Sequence, residues 1–594
     1  MKSKAQMKNI VGSLFLMGAA AYGVTACSDD HFDVVVSGTS SASLMENMKS
    51  QPDLKSFVTI LEKTRVMRTD NDKNATISYA DLLSQDQNFT VWAPVDGSST
   101  SSYVQRYLDL LEEASQVEKS DPERFRELNW QVENQLVRNH IARANYESTP
   151  TSQMVRLMNN KRCEYTASEN TFNGIKLRGS VIPASNGVLH LLESPSPYAY
   201  NIYDYLAENP QWSDFNDYVH SQDTTIFNPS SSIEGAIVDG EMVYVDSVFY
   251  TSSPLTSYLG SISSEDSTYV GVVPDNAAWN SAYEKYKSYF EYGDSYAYQF
   301  DTEKGAFNYT GNQAYKPNVD SLQETRTKEA ILGSIMFSAT QIPSIDVTDS
   351  ASVVNTMLTA DSLRSTTFRY VYNSNPGGRN PYFGNAVPLR ASNGYLFSVS
   401  DLNLDAAKTW QDEINLEGEN LPQVYLSGGD ASIINLDEYT RNDTISGIVH
   451  GDAYARYDRG NSRSSMYVEF PLNNVLSAKY DIYAVLLPSN INTNYSDTLQ
   501  SGEVEDIVFN AAIYLDTDAS SRPTMEAEDL RASQDSVTHV LLFKDFRFPK
   551  SYYNLEVASF PRLRLTLPRL TSGEVSRCEA LNIDRIYLVP KGND

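Results

Sequence analysis

Cysteine is nearly absent: Cys27, Cys163 and Cys578 are the only three in 594 residues. They lie too far apart for a disulfide framework, and no pair has zinc-ligand spacing. Cys163 and Cys578 read as two buried thiols in different domains. Histidine is scarce too, with six scattered along the chain. Gly-x-Ser-x-Gly, His-Glu-x-x-His, Gly-x-x-x-x-Gly-Lys and Cys-x-x-Cys are all missing, so the familiar hydrolase, metalloprotease, nucleotide-binding and redox patterns are excluded. Basic residues are outnumbered, 47 Lys and Arg against 76 Asp and Glu, for a net charge of −29. That charge repels phosphate backbones and argues against nucleic acid as a partner. Neutral glycans, cations and basic protein surfaces remain open. Among so many acids no carboxylate pair stands out for acid–base work, and the chain reads as a non-enzyme. No run of about 20 apolar residues is present to span a bilayer as a helix.

What is there begins with three zones. Lys2, Lys4 and Lys8 form a basic stretch, residues 10–21 are apolar or small, and Val24-Thr25-Ala26-Cys27 follows. This is the grammar of a secretory signal over residues 1–26. Without those three lysines the rest of the chain carries −32. Val24 to Cys27 resembles a bacterial lipobox, and the resemblance implies that the Cys27 thiol takes a diacylglycerol and anchors the protein in a membrane. An ordinary signal followed by a chance cysteine is the alternative. Ser28-Asp29-Asp30 resembles the acidic signal that sends lipoproteins of Bacteroides-type bacteria to the outer face of the outer membrane. Residues 27–52 are mostly polar and small, a lipidated tether reaching roughly 80 Å at full extension.

Beyond the tether, a chain of this length calls for three or four domains. Leu54, Phe57, Val58 and Leu61 recur at helical spacing, and Tyr79 to Leu83 reads as a second short helix. Phe89 to Asp96 reads as a strand ending in a turn. Gln131 to Arg143, holding Asn139-His140-Ile141, reads as a helix, and residues 174–177 and 182–192 as strands around an Asn-Gly turn. These residues resemble the fasciclin (FAS1) domain: Phe89 to Asp96, His140-Ile141 and Ala184 to Leu192 match three of its segments in order across 53–195. The resemblance implies an α+β domain over 53–200, with His140 and His190 serving packing and partner contacts.

The pattern then repeats. Tyr269 to Asp275 echoes Phe89 to Val95 at an offset of 180, and Arg390 to Phe397 echoes Pro183 to His190 at 207. The second copy, 201–405, therefore holds 27 extra residues between its landmarks. The tyrosine-rich stretch 286–316 is a candidate insertion, and Asn201 to Leu206 a leading helix. Phe397 stands where the first copy has His190, which puts any family role for that histidine in doubt here.

From 406 to 594 the grammar is all-β. Met466 to Phe470, Tyr480 to Leu487, Ile507 to Leu515, Val540 to Phe543, Arg562 to Leu567 and Ile583 to Val589 read as strands. The fold class is thus multidomain, two α+β fasciclin-like domains followed by an all-β, jelly-roll-like sandwich. The strand pattern resembles the galactose-binding-like sandwiches of extracellular bacterial proteins.

One segment has metal-ligand spacing. Asp70, Asp72, Asn74, Ser78 and Asp81 place oxygens as in an EF-hand calcium loop. Ala75 replaces the usual glycine and Asp81 the usual glutamate, so a plain polar loop is the competing reading. Apart from calcium, no cofactor is expected. Ser247, Ser321, Ser350, Ser362, Thr444, Thr498 and Ser536 fit an Asp-Ser/Thr pattern that resembles the O-glycosylation motif of exported Bacteroides-type proteins; turn chemistry explains many of them equally.

These resemblances imply a surface lipoprotein of the outer membrane that binds rather than catalyses. The expectation is an accessory subunit of a SusC/SusD-type nutrient importer, capturing a polysaccharide or peptide or docking on the transporter. A protein-binding adhesin and a glycan-active enzyme with an unrecognised site are the alternatives.

Overall fold

A computed structural model describes residues 41–67, 75–97, 101–146, 152–238, 241–293, 298–301, 306–309, 319–342, 345–346, 349–436, 447–460, 462–488, 506–515, 522–533, 536–555, 560–570 and 580–593. The chain divides into two compact units, one of residues 1–200 with 223–252 and one of residues 201–222 with 253–594.

The first unit is built on a seven-stranded sheet. Phe89–Pro94 is buried along its whole length, as a strand covered on both faces must be. It pairs antiparallel with Ile141–Ala142 and parallel with Gly187–Leu192. The second unit repeats the arrangement. Tyr269–Pro274 pairs antiparallel with Met336–Ser338 and parallel with Gly394–Val399.

The same latch closes both sheets. In the first, Asn186 Oδ1 accepts the Leu44 amide at 2.8 Å, while its Nδ2 donates to the Leu83 and Gln85 carbonyls at 2.9 and 2.7 Å. In the second, Asn393 Oδ1 accepts the Ile202 amide at 2.8 Å, and Nδ2 donates to Ile262 and Ser264 at 2.7 and 3.0 Å. One buried carboxamide thus satisfies an orphan donor at a helix start and two loop carbonyls. The following glycine is needed for a different reason. A Cβ on Gly187 would lie 1.8 Å from the Phe89 carbonyl oxygen, and one on Gly394 would lie 1.9 Å from that of Tyr269. Both glycines also hold positive φ, +140° and +150°.

This latch moves the start of the first folded unit. The helix equivalent to Ile202–Glu208 is Leu44–Ser50, with Ser43 and Glu46 forming a capping box. Leu44, Met48, Leu54, Phe57 and Leu61 match Ile202, Leu206, Trp212, Phe215 and Val219 at one offset of 158, and all ten are buried. Residues 43–52, expected to end the tether, are therefore core-forming, because Leu44, Met45 and Met48 have an apolar surface to cover. The expected helix 131–143 also breaks. An α-helix runs over Pro122–Val132, then Glu133–Val137 forms a π-turn, Arg138–His140 a 3₁₀ turn, and Ile141 enters the sheet. A π-turn shifts the helical phase by about one residue, and Glu133, four residues after buried Asn129, opens it on the buried face.

The extra residues of the second copy fall in several places. Between the 158 and 180 offsets lies the hairpin of Thr224–Val238 and Glu241–Ser252. The offset is 195 at Met336–Ser338 and 207 at Gly394, so 15 of the 27 residues precede Met336 and 12 follow Ser338. The first group includes the hairpin Tyr298–Asp301 and Ala306–Tyr309, inside the expected insertion. The second includes the hairpin Ser362–Arg364 and Tyr370–Tyr372.

Two antiparallel sheets complete the second unit. One has six strands and contains the terminal strand Ala580–Gly592, and the other has five with Arg562–Leu567 at its centre. Leu563, Leu565 and Leu567 point to the core while Arg562, Arg564 and Thr566 face outward. Residues 201–405 and 406–594 were expected as separate domains, but 201–222 and 253–405 share one unit and one continuous apolar core with 406–594. Trp410 is one of several residues at the junction, with Ser477, Ser551 and Asn593 bonded to residues 288–291. It is buried edge-on against Tyr286 at 4.6 Å and Tyr289 at 6.0 Å. The next residue, Gln411, donates to the Lys479 carbonyl and accepts from the Gly592 amide.

Candidate functional site

The second unit contains an open cleft of about 420 Å³. One wall is the strand Ile414–Glu417, hydrogen-bonded to the terminal strand, and the other is the loop after Met466–Pro471 together with Tyr553 and Asn554. Five asparagines line it: Asn415, Asn420, Asn473, Asn474 and Asn554. Asn474 and Asn554 sit at φ +59° and +49°, a conformation short amides tolerate, and Asn474 Oδ1 accepts the Asn554 amide. Each carboxamide offers both donors and acceptors, the pairing capacity that sugar hydroxyls use. Trp410 lies on the same wall with its indole Nε1 buried and unbonded. Burial raises the Asp412 carboxyl above its ordinary range against the pull of Arg369.

A carboxylate cluster borders the cleft. Asp584 on the terminal strand is buried, and burial raises it to about 6, with the nearby Glu417 and Glu419 charges adding to the rise. The His450 amide donates to both Asp584 oxygens at 3.1 and 3.2 Å, and the His450 imidazole lies 3.0 Å from Glu417. One oxygen each of Glu417 and Glu419 is buried without a hydrogen-bond partner. The cluster thus gathers three carboxylates, Asp584, Glu417 and Glu419, around one imidazole. Even so, no three His, Cys, Asp or Glu side chains among the described residues converge as a ligand set.

Two sheet faces carry aromatic rows. On the five-stranded sheet the Arg564 guanidinium sits between Tyr467, at 4.0 Å, and Tyr514, at 4.6 Å, and is ion-paired with Glu469, which also holds Arg562 at 3.1 Å. Tyr425, directly across from Glu469, is exposed. On the six-stranded sheet Tyr483 and Tyr587 stack at 4.9 Å.

The residues singled out in the sequence are placed as follows. Cys27, Asp70, Asp72, Asn74, Thr444, Thr498 and Cys578 lie outside the described residues. Asp81 caps its own helix: its carboxylate accepts the Ser78 amide and hydroxyl at 2.9 and 2.7 Å, and these bonds hold it below the usual carboxylate range. Cys163 is buried in the first unit. His140 bridges two segments, its Nδ1 facing the Leu136 carbonyl at 2.7 Å and its Nε2 accepting the Ser196 amide at 2.9 Å. Those partners assign the proton to Nδ1. His190 stacks on Trp92 at 5.6 Å. Burial pushes both imidazoles down to about 4. The second copy has Ile335 and Phe397 at the equivalent sheet positions, with Val272 for Trp92.

Sequence reading missed Glu133. It is fully buried, with its carboxylate on Tyr79 Oη at 2.7 Å, Arg138 at 2.8 Å and the Met67 amide at 3.0 Å. Burial pushes it up to about 7, and Arg138 opposes that rise. A lone acid in a polar helix gives no signal of this, nor do the cleft asparagines, scattered from 415 to 554.

No helix among the described residues is long and apolar enough to cross a membrane. No family model and no curated protein matches the chain. Among solved structures it is similar to a FAS1 domain pair from the insect cell adhesion molecule fasciclin I, with 10% identity and TM-score 0.19 over 54% of this chain and 90% of that one. It is also similar to a family 35 carbohydrate-binding module from Clostridium thermocellum, with 9% identity and TM-score 0.16 over 30% and 99%, and to an exo-β-1,3-galactanase from Phanerochaete chrysosporium, with 10% identity and TM-score 0.15 over 30% and 29%. Likenesses at these scores carry no weight for the function, and the architecture rests on the strand pairing and burial of this chain itself.

Proposed function

We propose that this chain is a non-catalytic binding protein, held on the outer face of the outer membrane by lipid on Cys27, whose sandwich cleft takes a neutral glycan. The observation that carries the glycan reading is the cleft itself, walled by six carboxamides, five of Asn and that of Gln423, and by Trp410 and Tyr553. Neutral hydroxyls suit that lining, whereas an anionic ligand would meet Asp412, Glu413 and Glu417. The full chain bearing Cys27→Ser, run in native gels containing neutral galactan, mannan or xyloglucan, should be retarded by at least one of them. Asn415→Ala with Asn420→Ala should remove the retardation. Free migration in all three gels would overturn the reading. The anchor has its own test: the wild-type protein should partition into detergent and Cys27→Ser into water.

Docking on a SusC/SusD-type importer belongs to the same reading. Recovery with a transporter from solubilised outer membrane supports it, and recovery with another surface protein instead favours an adhesin. Hydrolysis of a retarded polysaccharide would make the protein an enzyme. Calcium at the Asp70–Asp81 loop is proposed as an accessory ion, expected to raise the melting temperature at millimolar concentration; an unchanged melt would remove it.

A further inference from the structure

The hairpin Ser362–Arg364 and Tyr370–Tyr372, within the second repeat, is an aromatic blade separate from the cleft. Leu363 and Val371 point inward and are buried, so the alternating residues Arg364, Tyr370 and Tyr372 face outward. Phe368 at the turn is 58% exposed, Tyr370 41% and Tyr372 51%. The two tyrosine rings lie 5.9 Å apart at an interplanar angle of only 30°. The Arg364 guanidinium covers the Phe368 ring at 4.4 Å, and among the described residues it has no carboxylate partner.

The turn is built to hold this display. Phe368 sits at φ +64°, a conformation unfavourable for a phenylalanine. The surrounding bonds enforce it: Phe368 N donates to Ser365 O at 2.9 Å, Ser365 N to Arg369 O at 2.8 Å, and the Ser365 and Thr367 hydroxyls each to Gly333 O at 2.6 Å. The turn thus holds a phenyl ring 58% exposed, with only one face covered, by Arg364. The local charge also departs from the rest of the molecule. Residues 361–390 hold Arg364, Arg369, Arg379 and Arg390 and one acid, Asp361, in a chain of net charge −29.

We infer that this blade binds an acidic polysaccharide. Successive sugar rings stack by their C–H faces on Tyr370 and Tyr372, and a uronate carboxylate or sulfate pairs with Arg364. Tyrosine and phenylalanine supply flat apolar area with a polar rim, and guanidinium suits carboxylate and sulfate geometry. A lipid surface fits less well, because residues 361–375 expose no aliphatic side chain to enter hydrocarbon. The inference stands apart from the cleft, and the two are tested by different variants.

The probe is polygalacturonate, against the same polymer with its carboxylates methyl-esterified, in native affinity gels of the full Cys27→Ser chain. Retardation by the free acid should be lost with Tyr370→Ala plus Tyr372→Ala and weakened by about tenfold with Arg364→Gln, the loss of a charge-assisted pair. Phe368→Gly should lower retention while leaving the melting temperature equal or higher, which a purely structural role for the ring would not do. Asn415→Ala with Asn420→Ala should have no effect. The inference is overturned if neither polygalacturonate nor chondroitin sulfate retards the protein. Equal retardation by the esterified polymer, retention that the blade variants leave unchanged, or blade-dependent binding to anionic phosphatidylglycerol vesicles in place of the polysaccharides would overturn it as well.

Discussion

Asn186 and Asn393 each join a helix start, a loop and a strand through three hydrogen bonds. Replacing either by alanine strands one donor and two acceptors in the interior. The expected cost is about 3 kcal/mol, read as a shift in urea midpoint. Asn186→Asp should cost more, because a carboxylate oxygen would then face the Leu83 and Gln85 carbonyls. Gly187→Ala and Gly394→Ala should yield no folded repeat, since the Cβ would overlap backbone oxygen. Phe368 shows the opposite case. Its left-handed backbone makes Phe368→Gly stabilising by up to about 1 kcal/mol in a thermal melt.

At the scale of elements, the two repeats should respond differently to acid. His140 and His190 are held neutral, with pKa near 4 against an ordinary 6.5. Their stabilisation is complete above pH 6.5 and is lost as pH falls toward 4. Glu133, raised to about 7, works in the other sense: it favours the fold at low pH and loses that contribution as pH rises through 7. From pH 7 to 5 the two histidines cost roughly 2 kcal/mol each and Glu133 returns about 2, a net loss of roughly 2 kcal/mol for the first unit. The second unit has Ile335 and Phe397 at those positions, and its raised Asp584 favours acid. Urea melts read by proteolysis and mass spectrometry should therefore show residues 41–200 weakening at pH 5 while 253–593 do not. Glu133→Gln should steepen the loss in the first unit.

These elements also show how much was legible. Strands such as Phe89–Pro94 and Arg562–Leu567 were readable because burial imposes period-two or fully apolar runs on local sequence. The helix Leu44–Ser50 was not, since seven residues with three apolar positions resemble a polar tether until the sheet they cover is known. The π-turn at Glu133–Val137 was hidden for a similar reason: a one-residue phase slip leaves the apolar pattern nearly intact. Of the candidate calcium-loop residues Asp70, Asp72, Asn74 and Asp81, only Asp81 lies among the described residues, where it caps its own helix. The cleft was not found at all, because its carboxamides meet only after folding.

On the scale of the whole molecule, Trp410 helps join residues 201–222 and 253–405 to the sandwich. Trp410→Ala removes a buried indole, an expected loss of about 3–5 kcal/mol. Calorimetry of the wild-type chain should show residues 201–222 with 253–594 melting together, and Trp410→Ala should split that transition in two.

Sequence alone determined the charge, the absence of catalytic motifs, the resemblance to a signal and lipobox on which the proposed anchor at Cys27 rests, the two-fold repeat and the run of strands after 406. Each is written in composition or in short-range periodicity. Tertiary structure decided where the first unit begins, that the second repeat and the sandwich share one core, that His140 and Glu133 are buried, and that distant asparagines wall one cleft. Those outcomes depend on contacts between residues far apart in the chain, whose chemistry is ordinary until folding excludes water from around them.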